Sequence, residues 1–450
     1  MILTSGLIFS LFFIFAYAYI AVAHKKRGLA IWITAGMAIV FSFIFGCFAG
    51  WGELGSIAGG INFSVLLIFS GILLIAEVLI ESGIPGYLAG HIVTRSKNYG
   101  HAAIYLCILS SVISIFVENV ATVMIVAPIA LEVARKLKAN PVVLLIGIAV
   151  ASNLQGTATL VGDPPSMILA ASENMDFNDF FFMDGKPGIF FAVQLGAVAS
   201  FFVLKRLLKK DSRPLPKVKI PEVSSWFPAW VLAGVILGLA VLSFFFPGVG
   251  IEAGLLCIAG GGIAVAWHAF FRRGYLGNRG RGNHGNRRAR AILREFDWDT
   301  LFLLAGIFFM VGALEEMGVM HKIGVFLAGV SGNSPLFAFL IIVVSAVILS
   351  AFIDNVPYVT AMIPVTHAIA QTLSEAGQSH YYLSFGLLIG ACLGGNISPV
   401  GAAANIVSVS VLRKNGFKVS FMEFVRVGLP FTIAATAVGA AFIWFVWGPG

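Results

Sequence analysis

The sequence predicts an all-α polytopic membrane protein. Three observations support this fold class: the composition, the length of the apolar segments, and a match between the two halves. Of the 450 residues, 59% are hydrophobic and 11% are charged. A soluble domain carries roughly 25% charged residues, so this composition is typical of an integral membrane protein. The apolar segments are also too numerous for a signal peptide followed by a globular domain.

The apolar segments predict about ten membrane crossings, each near the ~20 residues that a bilayer core requires. They are 4–22, 29–49, 64–80, 141–174, 188–204, 226–246, 251–270, 299–316, 382–412 and 426–447. Segments 141–174 and 382–412 are too long for one straight span and are interrupted by Gly and Pro. We therefore expect two broken transmembrane helices.

Two further apolar segments, 101–134 and 335–371, have polar residues near their centres and are predicted to be re-entrant hairpins. If each hairpin enters and leaves on one side, all basic clusters fall on one face, which the positive-inside rule makes cytoplasmic. These clusters are Lys25–Arg27, Arg135–Lys138, Lys205–Lys210, Arg272–Arg294 and Arg413–Lys414. Both termini are then predicted outside, and we expect a multi-pass protein of the bacterial cytoplasmic (inner) membrane.

The loop from Arg272 to Arg294 contains eight arginines among glycines and asparagines. Such a composition is similar to an RNA-binding segment. On the predicted cytoplasmic side of a membrane protein, contact with anionic lipid is the better interpretation. Membrane lipid, and no nucleic acid, is therefore the expected partner of this loop.

The two halves of the chain match each other. "NFSVLLIFSGILLIAEVLIESG" from Asn62 aligns without gaps with "DWDTLFLLAGIFFMVGALEEMG" from Asp297, and "GTATLVGDPPSMI" from Gly156 aligns with "GNISPVGAAANIV" from Gly395. The charges orient the halves oppositely, which predicts inverted-topology repeats. The predicted organisation is scaffold helices at 1–60, repeat 1 at 61–204, a connecting region with two helices and the basic cytoplasmic loop at 205–296, and repeat 2 at 297–447.

Each predicted hairpin has an acidic tip, Glu118-Asn119 in the first and Asp354-Asn355 in the second. A carboxylate at the bilayer centre costs about 3 kcal/mol on insertion scales, so its occurrence at both matched positions favours a functional role. The alternative is a carboxylate that only binds backbone amides of the turn. Asp163 can likewise be a helix N-cap before two prolines.

Inverted repeats with interrupted helices are typical of secondary transporters, whose sites lie near the midplane. We predict that Glu118, Asp163 and Asp354 couple ion or proton movement. The predicted substrate- or ion-binding residues, near the tips and the helix breaks, are Asn119, Gly156, Thr157, Thr159, Asn355, Gly395, Asn396, Ser398 and Asn405. Their oxygens suit hard cations, so sodium is a possible occupant at each tip. The alternative role of the polar residues is to repair the broken helices by hydrogen bonding.

Several other kinds of site are not supported. The four cysteines lie scattered in apolar segments without C-x-x-C spacing, which argues against a disulfide framework or a zinc site. "GDPPS" lacks the lysine and glycine spacing of a phosphate-binding loop, so no ATPase is recognised in the chain. His367 can carry protons, but a lone histidine is more often a packed polar residue. No cofactor is expected other than a bound sodium ion or proton.

These motifs resemble the ion transporter superfamily, in particular its arsenite-permease and sodium/proton-antiporter branch. "SAFIDNVPYVTAMIPV", "GTATLVGDPPSMI" and "GACLGGNISPVGAAANIV" are similar to segments of the pink-eyed-dilution (P) protein group. The resemblance covers about 60–170 and 297–445. It implies two inverted repeats, each with a re-entrant hairpin and a broken helix, together with a homodimeric scaffold and an elevator-type movement.

This sequence also differs from the patterns of that superfamily at the hairpin tips and in the second break. In the sodium-coupled carboxylate branch each tip has Ser-Asn-Thr, and the asparagine lies at the sodium and substrate sites. Asn119 and Asn355 carry over to this chain, but the flanking hydroxyl residues do not. Ala402–Ala404 replace the proline pair in the second break. The acidic tips therefore disfavour a dianionic cargo.

The sequence thus predicts a secondary active transporter and not an enzyme, because neither a zinc-binding His–Glu pair nor a buried Ser–His arrangement is visible. The expected cargo is a small inorganic ion or neutral oxyacid, such as sodium, arsenite or antimonite. It would be moved by antiport against a proton or sodium gradient. A sodium-coupled anion or carboxylate symporter and an ion channel remain alternatives.

Overall fold

The computed structural model describes residues 10–16, 18–19, 26–44, 51–208, 213–215, 220–275, 292, 294, 296–373 and 380–449. Helices make up most of this chain. Their bounds in the first half are α1 Arg27–Ile44, α2 Trp51–Gly59, α3 Phe63–Ser82, α4 Ile84–Arg95, α5 Tyr99–Ser114, α6 Asn119–Leu137, α7 Val142–Gly156, α8 Pro164–Ser172 and α9 Ile189–Leu208. Those in the second half are α10 Phe227–Leu242, α11 Ile251–Tyr275, α12 Trp298–Glu316, α13 Val319–Val330, α14 Pro335–Ser350, α15 Asn355–Leu373, α16 Tyr381–Gly394, α17 Ala403–Lys414 and α18 Phe421–Trp447.

Corresponding local signals begin and end the first helices of the two matched segments. The side chain of Asn62 caps α3 by accepting a hydrogen bond from the backbone of Val65, and Asp297 caps α12 in the same way. Gly83 follows α3 with a φ of 79°, and its counterpart Gly318 precedes α13 with a φ of 68°. Glycine adopts this left-handed conformation without a Cβ penalty, which allows a turn at both places.

The helices that follow have the same order and similar lengths in both segments. α3 to α8 contain 20, 12, 16, 19, 15 and 9 residues, and α12 to α17 contain 19, 12, 16, 19, 14 and 12. The opposite direction of the two segments in a membrane remains a prediction.

Both predicted hairpins overlap pairs of helices that are joined by a short non-helical tip. Residues 115–118 separate α5 from α6, and residues 351–354 separate α14 from α15. The returning helices α6 and α15 each contain an internal proline, Pro128 and Pro364. In both cases the proline is the tenth residue of the helix.

The long segments 141–174 and 382–412 are interrupted where Gly and Pro predicted a break. Residues 157–163 separate α7 from α8. A short 3-10 turn at Gly395–Ile397 and residues 398–402 separate α16 from α17. Asp163 lies at the end of the first break, directly before Pro164-Pro165, which are the first residues of α8.

Five helices in the described part of the chain are long and apolar enough to cross a membrane, or six if the bent pair Val319–Val330 and Pro335–Ser350 forms one span. The predicted number of about ten also counts broken and shorter helices, each of which is too short to span a bilayer alone. That number stays a prediction. Most of the predicted span 4–22 and of the basic loop 272–294 lies outside the described residues.

The described residues are mostly helical, as predicted, and include one small β-ladder that was not predicted. Phe182–Met183 pairs antiparallel with Lys186–Pro187 in a small two-stranded ladder. Asp184 and Gly185 connect the strands, with φ values of 51° and 72°. An Asp-Gly pair with positive φ is a strong signal for a tight β-hairpin, and this signal was missed.

Two matched glycines, one in the first helix of each segment, permit close packing against a neighbouring helix. A Cβ at Gly71 in α3 would lie 2.2 Å from the backbone of Cys257 in α11. A Cβ at Gly306 in α12 would lie 2.4 Å from the side chain of Ile31 in α1. Each segment therefore packs its first helix against a helix outside the hairpins and broken helices, and this packing brings α1 to the second hairpin.

Candidate functional site

A cavity of about 210 Å³ lies between the two hairpin tips and the broken helices. Charged and polar side chains line part of it, although the core around it is largely apolar. Its charged and amide-bearing lining residues are Arg27, Glu77, Glu118, Asn119, Asn153, Asp163, Asp297, Asp354 and Asn355. Five of the twelve predicted site residues, Glu118, Asn119, Asp163, Asp354 and Asn355, are therefore brought to one cavity.

The first tip is held by hydrogen bonds to its own arms and to the first broken helix. The carboxylate of Glu118 accepts a hydrogen bond of 3.1 Å from the backbone of Ala121, so it caps α6. The amide oxygen of Asn119 accepts one of 2.6 Å from Ser114, and the hydroxyl of Ser152 in α7 donates to Ser114 at 2.9 Å. Glu118 has no cationic partner among the described contacts.

The second tip forms an ion pair with Arg27, which was not predicted to be a site residue. The guanidinium of Arg27 donates a hydrogen bond of 2.8 Å to Asp354, and the two side chains are only 15% and 16% exposed. Asp299 fixes the start of α1, because its carboxylate accepts hydrogen bonds of 3.1 Å from the backbones of Arg27 and Gly28. The beginning of α1 is thereby aligned with the cavity.

The charges of the cavity are unbalanced. Five carboxylates line it, those of Glu77, Glu118, Asp163, Asp297 and Asp354, and Arg27 is the one cationic side chain among the described lining residues. Five negative charges against one positive charge leave a net charge of −4 if all the groups are ionised. A cation or proton is the kind of ligand that such a cavity attracts.

Asp163 has both of the roles that the sequence left open. One carboxylate oxygen caps α8 by accepting hydrogen bonds from the backbone and the hydroxyl of Ser166, at 3.1 and 2.6 Å. The other oxygen, Oδ2, is buried and accepts no hydrogen bond of normal geometry from the described residues, although the side chains of Thr157 and Cys392 are close enough to Asp163 to interact with it. The buried thiol of Cys392 lies beside Asp163, Thr157 and Asn355. Since an unsatisfied buried carboxylate oxygen is costly, Oδ2 is a candidate cation ligand.

Glycines in both breaks allow backbone and amide groups to approach closely. A Cβ at Gly156 would lie 2.3 Å from the amide oxygen of Asn119, so this glycine permits the first tip to contact α7. A Cβ at Gly395 would lie 2.7 Å from the carbonyl oxygen of Gly401 across the second break. Both predicted glycines therefore shape the site without contributing a side chain.

Three of the remaining predicted polar residues lie in the breaks and hydrogen-bond to α7 or to the hairpin tips. Thr157 donates to the carbonyl of Asn153, Thr159 to that of Ile115, and Ser398 to that of Ala351. The bond of Thr157 matches the helix-repair role that the sequence left open, whereas those of Thr159 and Ser398 join each break to the hairpin tip of its own segment. Direct contact of Thr157, Thr159, Asn396, Ser398 or Asn405 with an ion stays a prediction.

Asn153 joins the two broken helices and was missed by sequence reasoning. Its amide nitrogen donates to the amide oxygens of Asn396 at 2.8 Å and Asn405 at 3.0 Å. Asn405 in turn donates to the carbonyls of Gly395 and Ser398, each at 2.9 Å. A polar residue inside the apolar run 141–156 was the available signal. Arg27 offered no such signal, because it belongs to a basic cluster that membrane topology explains.

His367 is not the isolated residue that the sequence suggested. Its Nε2 lies 2.8 Å from Glu173 Oε1, and Nε2 of His380 lies 2.8 Å from Glu173 Oε2. This cluster lies at the opposite end of α8 from the cavity.

Comparison with known proteins gives consistent matches. The family model described as citrate transporter, CitMHS, matches residues 17–380. The uncharacterized transporter Rv2684 of Mycobacterium tuberculosis is 32% identical over 397 residues, covering 86% of this chain and 86% of its own. The P protein of Homo sapiens is 24% identical, covering 85% of this chain and 53% of its own.

Two solved structures have a similar fold. The YdaH transporter of Alcanivorax borkumensis gives a TM-score of 0.58 at 13% identity and covers 87% of both chains. MtrF of Neisseria gonorrhoeae gives a TM-score of 0.52 at 14% identity, covering 88% of this chain and 83% of its own. At these identities the likeness concerns the fold alone.

Proposed function

Because the chain belongs to the citrate transporter family CitMHS, we propose that it is a secondary active transporter that carries a small carboxylate anion together with cations. Membership of this family, and the naming of its relatives as transporters, confirm that the chain is a membrane transporter and not an enzyme. The predicted likeness to the P protein is also confirmed. The finer placement in the arsenite-permease and sodium/proton-antiporter branch stays a prediction.

The observation that carries the proposal is the charge of the cavity. Arg27 already pairs with Asp354, so a multivalent anion that entered alone would meet the carboxylates of Glu118 and Asp163, for which no cationic partner is described. Cations bound beside Glu118 and Asp163 would remove this repulsion and attract the anion. The binding of each would then raise the affinity for the other, which is the requirement for coupled symport.

Individual roles follow from the contacts. Oδ2 of Asp163 and the carboxylate of Glu118 are the proposed cation or proton ligands, because no described cationic side chain neutralises either. Asn119 and Asn355 are proposed to orient the cargo. The hairpins and broken helices are proposed to move as an elevator against a dimeric scaffold. Such a movement relative to α1 would require the contact between Arg27 and Asp354 to open.

A second candidate function is antiport of a small inorganic ion or neutral oxyacid against protons or sodium. Glu118 favours it, because one carboxylate without a described cationic partner can bind a proton and a cargo cation in turn. Competition for one site is sufficient to couple two opposed fluxes.

Flux measurements in proteoliposomes distinguish these functions. We expect saturable accumulation of radiolabelled citrate only when an inward sodium or proton gradient is imposed. The measurement is repeated with divalent cations added and with divalent cations chelated. A control variant, Glu132→Gln, changes a half-exposed carboxylate that pairs with Lys136 and should transport normally. No citrate movement, combined with a pH-dye response to sodium, lithium, arsenite or antimonite, would favour antiport. Unsaturable passive conductance would indicate a channel and contradict both proposals.

A further inference from the structure

Three side chains from both halves of the molecule converge at the end of α8. Glu173 directly follows α8, His367 lies on α15, and His380 directly precedes α16. The two Nε2 atoms each lie 2.8 Å from a different oxygen of the Glu173 carboxylate. One ligand atom from each of the three residues lies within 4.8 Å of the others.

The cluster is separate from the acidic cavity. Pro164 and Pro165 at the start of α8 line the cavity, whereas Glu173 follows the last residue of that helix. Nine residues of helix correspond to roughly 13 Å. The groups therefore belong to a second location, and the proposed transport function does not use them.

The Glu173 carboxylate is held in one orientation by three neighbouring side chains. Nε2 of His367 and Nε2 of His380 each lie within hydrogen-bond distance of one oxygen of the Glu173 carboxylate. Ser384 also donates a hydrogen bond to Oε1 and so fixes the orientation of the carboxylate. The Glu173 side chain is 1% exposed, whereas those of His367 and His380 are 31% and 40% exposed. The imidazoles are therefore partly exposed at the surface of the fold, whereas the carboxylate is buried.

We propose that Glu173, His367 and His380 bind a divalent transition-metal ion of the zinc class. Two imidazoles and one carboxylate are a common protein ligand set for such an ion and leave a fourth position for water. Two ligands on one ion with bonds of about 2.0–2.2 Å lie at most about 4.4 Å apart, so the present spacing needs only small side-chain movements. Ser384 supplies the outer hydrogen bond that typically orients a metal-binding carboxylate.

Binding of the metal replaces the hydrogen bonds between the imidazoles and the carboxylate. Each Nε2 would lose its proton and coordinate the ion, and Glu173 would coordinate through one or both oxygens. The ion would then connect the end of the first broken helix to the second hairpin and to the second broken helix. The competing interpretation is a hydrogen-bonded Glu–His–His cluster that has no affinity for metal.

Cobalt titration of the purified, tag-free full chain separates these interpretations. The protein is treated with a chelator and titrated with Co²⁺, whose visible absorption reports coordination by protein ligands. We expect saturable binding of one ion, displaced by Zn²⁺ and not by Mg²⁺. His367→Ala, His380→Ala and Glu173→Gln should each weaken Co²⁺ binding more than about tenfold, since loss of even an outer-sphere partner has an effect of this size.

The matched control is His321→Ala, which removes an exposed histidine on α13 and should bind Co²⁺ as the unchanged protein does. Equal Co²⁺ affinity in all variants, or no saturable binding, would overturn the proposal. X-ray absorption of the zinc-loaded unchanged protein gives a test that does not depend on folding of the variants. Nitrogen and oxygen ligands with imidazole scattering are expected, and sulfur ligands would overturn the proposal.

Discussion

The guanidinium of Arg27 lies 2.8 Å from a carboxylate oxygen of Asp354, although the two residues are 327 positions apart in the chain. The contact joins the start of α1 to the tip of the second hairpin. A cation that binds Asp354 therefore has to compete with Arg27, which is an internal counter-ion. This competition provides a physical link between occupancy of the cavity and the position of the hairpin.

The first prediction concerns the energy of this pair. Arg27→Gln and Asp354→Asn should each destabilise the protein, and the double variant should lose less stability than the sum of the two. Contacting residues typically couple by ~0.5–3 kcal/mol. A double-mutant cycle on unfolding in detergent measures the coupling. Strict additivity would mean that the contact contributes no net stability.

The second prediction concerns the acidic tips. Glu118→Gln and Asp354→Asn keep the shape of the side chains but remove one negative charge from each tip, that of the proposed cation ligand Glu118 and that of Asp354, the partner of Arg27. Both variants should lose gradient-driven transport when the flux is expressed per amount of protein inserted in the membrane. Cargo flux and protein content in proteoliposomes are measured together, with Glu132→Gln as the control. Full activity in both tip variants would eliminate the mechanism.

The third prediction concerns the close contact between α7 and the first tip. Gly156→Ala places a methyl group 2.3 Å from the amide oxygen of Asn119 and should cost about 1–3 kcal/mol of stability, as other overpacked sites do. Gly234→Ala in α10 is the matched control, because a Cβ there meets nothing within 4 Å. Because alanine is favoured over glycine inside a helix, Gly234→Ala should be as stable as the unchanged protein or more stable. Thermal unfolding of both variants in detergent makes the comparison, and equal stability of the two would contradict the contact.

The fourth prediction concerns the amide contacts between the broken helices. Asn153→Ala leaves the buried amide oxygens of Asn396 and Asn405 without their donor, which should cost about 1–3 kcal/mol or more. Asn140→Ala is the control. Asn140 is exposed and only caps the start of α7, so its loss should cost about 1 kcal/mol or less. Unfolding midpoints test the difference, and a smaller effect at Asn153 than at Asn140 would be evidence against the network.

Local signals made much of the fold predictable. The apolar runs, the glycines at Gly83 and Gly318 and the proline pair after Asp163 act over a few residues. They placed the helix ends, the hairpin tips and both breaks near their observed positions. The Asp184-Gly185 turn was equally local but was overlooked within a helical interpretation.

The candidate site was only partly predictable, because its remaining parts depend on contacts between distant segments. The acidic tips were identifiable since a carboxylate in an apolar run is costly. Arg27 meets Asp354, and Asn153 meets Asn396, only after the helices have packed together. The same is true of His367, whose partner Glu173 lies 194 positions away.

Pro128 and Pro364 each occupy the tenth position of a returning hairpin arm. A proline nitrogen cannot donate a hydrogen bond, so the carbonyls of Met124 and Thr360 lose their usual helical partner. The helix is therefore weakened at this turn. Both helices are therefore expected to bend at the same distance from their hairpin tips, about 15 Å. A bend at either proline would move the tip half of that arm, and with it one side of the cavity, relative to the other half.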